Sequence, residues 1–158
     1  MPVSLFRVDD RLIHGQVVES WVPHLGVGEI VVASDEIAGD ETRQLLMRFA
    51  VPEGMDLKIM RLDEAAPYIK AGASDRKTLV LVPGTREMAA LLDRGVRPAS
   101  VNIGGMHYSA GRNMSIGKAI FLSDEDCADL KKLAAAGISL EGRGVPSDSP
   151  VDLMEAIA

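Results

Sequence analysis

The stretch RVDDRLIHGQVVESWV, residues 7–22, changes its hydrophobic period partway along. Its front end closes an apolar run, VSLFRV (3–8), whose composition suits a strand. Its back end opens a pattern in which Val17, Val18, Trp21, Val22 and Leu25 recur at spacings of one and four, the single apolar stripe of a helix. Between the two lie Asp9, Asp10, Arg11 and His14, with Gly15 immediately behind the histidine. A strand that passes through a short polar loop into a helix is the first step of an alternating α/β chain.

The same alternation continues outward from this stretch. Further strands are predicted at 29–34 (EIVVAS), 56–62 (DLKIMRL), 78–83 (TLVLVP), 99–104 (ASVNIG), 119–123 (AIFLS) and 137–142 (GISLEG). Several are nearly continuous apolar runs, as expected where both faces of a parallel sheet are covered. Asp40 caps a second helix that presents Leu45, Leu46 and Phe49 to a core, and Asp63 caps a third that Gly72 ends. Thr85 caps a fourth helix running to Gly95. The fifth has the clearest boundaries: Ser123 stands three residues before Asp126, acids fill the first turn, Lys131 and Lys132 come late, and Gly137 closes it. Pro150 opens a last helix, VDLMEAIA. Strict alternation fails after Gly137, which predicts a reversed edge strand there. The reading is one domain, 1–158: a three-layer, open, mainly parallel sheet of about seven strands with helices on both faces.

The chain has 158 residues, 47% of them hydrophobic and 25% charged, with a net charge of −6. An acidic balance argues against a nucleic-acid partner, which would usually meet a basic face. Cys127 is the only cysteine, so neither an internal disulfide nor a cysteine metal cluster can form, and a reducing compartment suits the chain. The N-terminus lacks a basic region followed by a long apolar core. No apolar run approaches the ~18 to 20 residues needed to span a bilayer. The expected location is the cytoplasm, with any membrane role reached through a partner.

Nucleotide sites are poorly supported. VDDRLIHGQV follows the first strand where a dinucleotide fingerprint would need G-x-G-x-x-G. GRNMSIGKA (111–119) resembles a P-loop only loosely, with five residues between its glycines and Ala119 where a metal-binding hydroxyl belongs. It reads as a surface loop. His24 reads as a helix-end residue and His107 as part of a loop, and no histidine spacing suggests a metal site. No G-x-S-x-G elbow is present.

The loop at His14 carries the chemistry. Ligands of open parallel sheets bind outside the carboxyl ends of strands, where this loop falls. Gly15 lets backbone approach a bulky anion, and a helix opening at Gly15 and Gln16 aims free N–H groups and a positive dipole end at the loop. Arg11 offers a charged fork for phosphate oxygens. Asp10 is placed to accept a hydrogen bond from one ring nitrogen, fixing the tautomer and leaving the other nitrogen to attack. An arginine and a helix N-terminus both disfavour imidazolium. These features describe a histidine suited to phosphoryl transfer. They equally suit a buried histidine satisfied by Asp10 and a carbonyl, with Arg11 paired to Asp9, or a general base; residue types alone leave the three open.

RVDDRLIHGQVVESWV, then IVVASDEIAGDETRQLLMRFAVPEGM (30–55) and VNIGGM (101–106), resemble the IIB component of the mannose/fructose/sorbose family of the bacterial sugar phosphotransferase system (PTS). The likeness runs from about residue 3 to the C-terminus and is most specific in DDRLIHGQV. It implies a mainly parallel α/β sheet and a phosphorylated histidine at His14. It also implies a phosphorylated IIA protein as donor and a sugar held by the membrane IIC/IID permease as acceptor, with neither cofactor nor metal. A regulatory module that signals phosphorylation state without sugar transport is the alternative. A small-molecule enzyme using His14 as general base is a third, and a homo-oligomer is left open.

Weaker expectations surround this centre. Gly84 and Thr85, at another helix N-terminus, are expected to hydrogen-bond the phosphoryl group or simply to cap their helix. Asp35 and Glu36, in the SDE that ends the second strand, are expected to orient Arg11 or cap a helix. The stretch NIGGM (Asn102 to Met106) is expected to let two backbones approach closely. Arg7, Arg11 and Arg112 are expected to ring the site and meet an acidic partner surface.

Overall fold

The structure, a computed structural model, describes residues 3–157. Strands β1 (Val3–Asp9), β2 (Glu29–Ala33), β3 (Asp56–Met60), β4 (Thr78–Val82), β5 (Ser100–Gly105), β8 (Ser139–Gly142) and β9 (Val151–Asp152) form one sheet in the order β3-β2-β4-β1-β5-β8-β9. Every pairing is parallel except β8 with β9, so the reversed edge strand is the short Val151–Asp152 segment. The predicted strand at 119–123 lies outside this sheet. It is β7 (Ile120–Leu122), the partner of β6 (Met114–Ile116) in an antiparallel hairpin joined to the end of β5 by a parallel bridge between Ile120 and Met106, with Ile120 and Leu122 buried in the core. The loosely P-loop-like segment is thus a hairpin turning at Gly117, with no helix behind Lys118 to receive a phosphate.

Alternation along the strands divides the core in two. Ile30, Val32, Leu79 and Leu81 face one side, covered by a helical stretch that begins with a π-helical segment, Gln16–Trp21, and continues as α1 (Val22–Leu25). The same side carries α2 (Asp35–Ala38) and α3 (Glu41–Ala50). Val8, Val31, Val80, Val101 and Ile103 face the other, under α4 (Leu62–Lys70), α5 (Thr85–Asp93), α6 (Asp124–Ala135) and α7 (Leu153–Ile157). Each such aliphatic side chain removed from water contributes about 1.5–3 kcal/mol, so β1, β2 and β4 are held from both faces.

The helix ends follow local chemistry. Asp40 accepts the Arg43 N–H, and Ser123 with Asp126 forms a reciprocal capping box. Gly72, Gly95 and Gly137 take the left-handed conformations that follow α4, α5 and α6. Other expectations fail. Asp63 lies inside α4, whose first N–H is instead taken by Asp35 Oδ1 at 2.8 Å. Pro150 precedes β9, and the last helix starts only at Leu153. In α3 only Met47 is buried, whereas Leu45, Leu46 and Phe49 point into solvent. The helix packs by its opposite side because Met47 meets the core formed by Leu12, Ile13 and Ile37.

Candidate functional site

The site forms where β1 ends between β4 and β5. Arg7 and Asp9 are two residues apart on a strand, so their side chains emerge on the same side. Both are fully buried. Arg7 donates from Nε and Nη2 to Asp9 Oδ2 at 3.2 and 3.0 Å, and its remaining donors reach Asn102 Oδ1 (2.6 Å) and the carbonyls of Arg143 and Gly144. The space for this guanidinium exists because residue 104 is glycine: a Cβ there would sit 1.9 Å from Arg7 Cζ. Trp21 packs beside it, its ring centroid 5.3 Å from the guanidinium carbons of both Arg7 and Arg143, and its Nε1 donates to the Gly144 carbonyl.

Asp9 in turn organises the loop. Oδ1 accepts the Arg11 N–H and the Asp9 carbonyl accepts the Leu12 N–H, closing a tight turn. Leu12 takes a left-handed backbone, φ 56°, which costs about 1–2 kcal/mol for a residue with a Cβ. Its fully buried side chain offsets that cost in the α1–α3 core. The turn delivers His14 so that Nε2 lies 2.7 Å from Asp9 Oδ2. Burial alone would raise the Asp9 carboxyl, but the His14 hydrogen bond and the Arg7 charge hold it below the usual carboxylate range. An ionised carboxylate only accepts, so Nε2 donates and carries the proton. The lone pair of neutral His14 is therefore on Nδ1. The side chain is 18% exposed: recessed at a rim, and accessible.

The helix after His14 leaves donors free. Val17 and Val18 N–H both reach the His14 carbonyl at 3.0 and 2.9 Å, while the N–H groups of Gly15 and Gln16 have no acceptor among the described residues. Gly15 is exposed with an ordinary helical backbone and open space around it. The Arg11 side chain is exposed and makes no hydrogen bond among the described residues.

Several expected roles are corrected. Asp10 does not hold His14. It accepts the His107 N–H at 2.6 Å and pairs with His107 Nδ1, with Arg112 3.5 Å away, and so ties the loop after β5 to the end of β1. Thr85 is fully buried and its hydroxyl faces α6, 2.9 Å from Asp126 Oδ1 and 3.0 Å from Asp129 Oδ2, so it is turned away from any phosphoryl group. Burial pushes the Asp129 carboxyl up, opposed by the hydrogen bond from the Thr85 hydroxyl. Gly84 remains as the half-buried N-cap of α5 at the end of β4, the strand beside β1. Asp35 and Ser34 satisfy backbone N–H groups of α4 and α2, and Glu36 pairs with Arg43, so none of them orients Arg11. Gly104 and Gly105 make room for the side chains of Arg7 and Asp9 rather than for a second backbone. Arg7 is interior, and Arg112 is held by Asp126 and the His107 carbonyl. His24 meets Trp21 edge-on.

The residues that sequence reading missed are Arg7, Asp9, Asn102 and Trp21 as one assembly. A signal was present: a charged pair at i, i+2 in a strand otherwise buried on both faces must be mutually neutralised, and it aims at whatever follows the strand.

The fold and site together define a class, an open α/β domain that presents one carboxylate-anchored imidazole at the carboxyl edge of its central strand. Known proteins share this fold. The family model for the PTS system sorbose subfamily IIB component matches residues 3–158. The sorbose-specific EIIB component of Klebsiella pneumoniae is 33% identical across 99% of this chain and 96% of its own length. The mannose-specific EIIAB component of Escherichia coli K12 is also 33% identical, and this chain spans about half of that protein, 49%. The crystal structure of the IIBSor domain of the sorbose permease from Klebsiella pneumoniae superimposes with a TM-score of 0.91 at 32% identity, covering 99% of this chain and 96% of that one. The chain belongs to the sorbose subfamily of PTS IIB components, in the mannose/fructose/sorbose family. No helix among the described residues is long and apolar enough to cross a membrane.

Proposed function

We propose that this chain is the cytoplasmic phosphocarrier of a sugar-uptake system, with His14 as the residue phosphorylated. The observation that carries the reading is the Asp9–His14 hydrogen bond, which commits Nε2 as donor and leaves Nδ1 as nucleophile. In the first step Nδ1 attacks phosphorus on a phosphohistidine of a IIA protein. The new N–P bond forms as the donor's N–P bond breaks, and the departing pair returns to the donor imidazole. Arg11 and the free N–H groups of Gly15 and Gln16 neutralise the three phosphoryl oxygens, with Gly84 facing them from β4. In the second step a sugar hydroxyl oxygen, held by a IIC/IID permease, takes the phosphoryl group. The electron pair of the breaking N–P bond returns to Nδ1, and the hydroxyl proton passes to solvent or to the imidazole. A IIA partner is supported by the relative named EIIAB, which joins both components in one chain. A permease as acceptor is supported by the likeness to the IIBSor domain of a sorbose permease.

The test is labelling by a phosphorylated IIA protein followed by site mapping. One acid-labile phosphoryl group on His14, absent in His14→Ala, is the expected result. Labelling that survives in His14→Ala overturns it.

A further inference from the structure

The Leu45, Leu46 and Phe49 side chains of α3 are left largely exposed by the described residues. Phe49 is 80% exposed, Leu46 63% and Leu45 56%, three of the large hydrophobic side chains most open to solvent. They follow one another at spacings of one and three on a single helix, so they form a patch rather than scattered residues. Exposed apolar clusters of this kind mark contact surfaces. This one is joined to the phosphorylation loop: a shallow groove is lined by Arg11 and Ile13 from the His14 loop and by Arg43, Leu46 and Met47 from α3.

Resting on the reading of His14 as phosphoryl acceptor, we infer that the α3 patch and this groove are the seat of the phosphohistidine-bearing donor protein. Three observations select that occupant. First, His14 is recessed, so a phosphoryl group delivered by a protein arrives only when the donor surface settles around the rim. Second, most groups on the other sides of that rim are polar: Asp10, His107 and Arg112 lie on the β5 side, and Arg143 and Gly144 lie beyond Trp21. The contiguous aliphatic and phenyl anchor is on α3, whereas the exposed Tyr108 on the β5 side packs edge-on against Phe121. Third, the groove carries two arginines, Arg11 and Arg43, in a chain whose net charge is −6. Local positive charge beside an apolar anchor complements a donor that brings a phosphoryl dianion. Arg43 is spared for this by only a long, exposed contact to Glu36 at 3.4 Å.

The experiment compares two phosphoryl sources on the wild-type chain and on Leu46→Ser/Phe49→Ser. The sources are the phosphorylated IIA protein that labels His14 and phosphoramidate, a small donor that needs no docking surface. Both substituted side chains are mostly in solvent, so folding is retained and circular dichroism checks it. The expected result is transfer from the IIA protein slowed by about tenfold or more, with phosphoramidate labelling unchanged. Equal loss with both donors overturns the inference, because the patch would then act through the His14 loop. Unchanged transfer from both overturns it as well. A wild-type dimer split by the substitutions, with IIA transfer unaffected, assigns the patch to a second copy and overturns it too. Failure of both donors to label the wild-type chain instead refutes His14 as acceptor.

Discussion

Asp9 holds His14 and Arg7 with the same carboxylate oxygen: Oδ2 is 2.7 Å from Nε2 of the imidazole and 3.0 Å from Nη2 of the guanidinium. The buried carboxylate at the centre of the sheet is thus also the group that fixes the tautomer of the ring proposed to take the phosphoryl group.

Asp9→Asn is expected to damage both. It leaves Arg7 buried without a counter-charge, a change that typically costs about 3–5 kcal/mol. It also weakens the hold on Nε2, slowing phosphoryl transfer by roughly 10- to 100-fold. The Asp9 carboxyl is held low in the folded chain, so its contribution is fully present above about pH 4 and is lost as pH falls through the lower folded value. Urea unfolding at pH 7 and in acid checks this: the gap between wild type and Asp9→Asn is widest at neutral pH and narrows below about pH 4.

Gly104→Ala tests the fit around the guanidinium. A Cβ 1.9 Å from Arg7 Cζ cannot be accommodated by a side chain fixed by Asp9, Asn102 and two carbonyls. The expected loss is about 1–3 kcal/mol or more from overpacking, together with slower labelling of His14 as Asp9 shifts. Denaturant midpoints and labelling rates report the two effects.

Arg11→Ala separates chemistry from stability. The Arg11 side chain has no hydrogen-bond partner among the described residues, and only its N–H ties to Asp9. Unfolding is expected to change little, while transfer falls by about 10²-fold through lost stabilisation of phosphoryl charge. Thermal melts and labelling rates, measured side by side, check this.

Much of this architecture was legible, for identifiable reasons. The strand-to-helix change at residues 7–22 predicted the loop and its place at the carboxyl edge, and apolar runs such as TLVLVP predicted strands covered on both faces. The aspartate that holds His14 lies one position from the expected one: Asp9 contacts Nε2, not Asp10. Asp10 was favoured over Asp9 to hold His14, because nothing local distinguishes adjacent aspartates; the strand pleat decides, sending Asp9 toward Arg7 and Asp10 toward His107. Thr85 and the α3 stripe were misplaced for a related reason. Whether a helix residue faces a site, a neighbouring helix or solvent depends on packing partners distant in the chain, Asp126 and Asp129 in one case and Met47's contacts in the other.

Glu87, in the first turn of α5, offers a contrasting pH signature. Burial first, with the nearby negative charges of Asp129 and Glu36, pushes its carboxyl up against the opposing charge of Arg86, whose Nε is 3.9 Å from Oε2. Oε2 is buried without a hydrogen-bond partner among the described residues. A raised carboxyl destabilises the fold progressively as pH climbs from its unfolded value through its folded one, and the penalty is absent in acid where both states are protonated. Glu87→Gln is therefore expected to stabilise the chain at neutral pH, on the order of 1 kcal/mol, and to have little effect near pH 3. Melting temperatures across that range check the sign.

The most direct test of the central claim is long-range nitrogen–phosphorus correlation by NMR on the phosphorylated chain. Phosphorus coupled to Nδ1 of His14, with Nε2 still protonated against Asp9, is the predicted result. Phosphorus on Nε2, or on any other side chain, would contradict it.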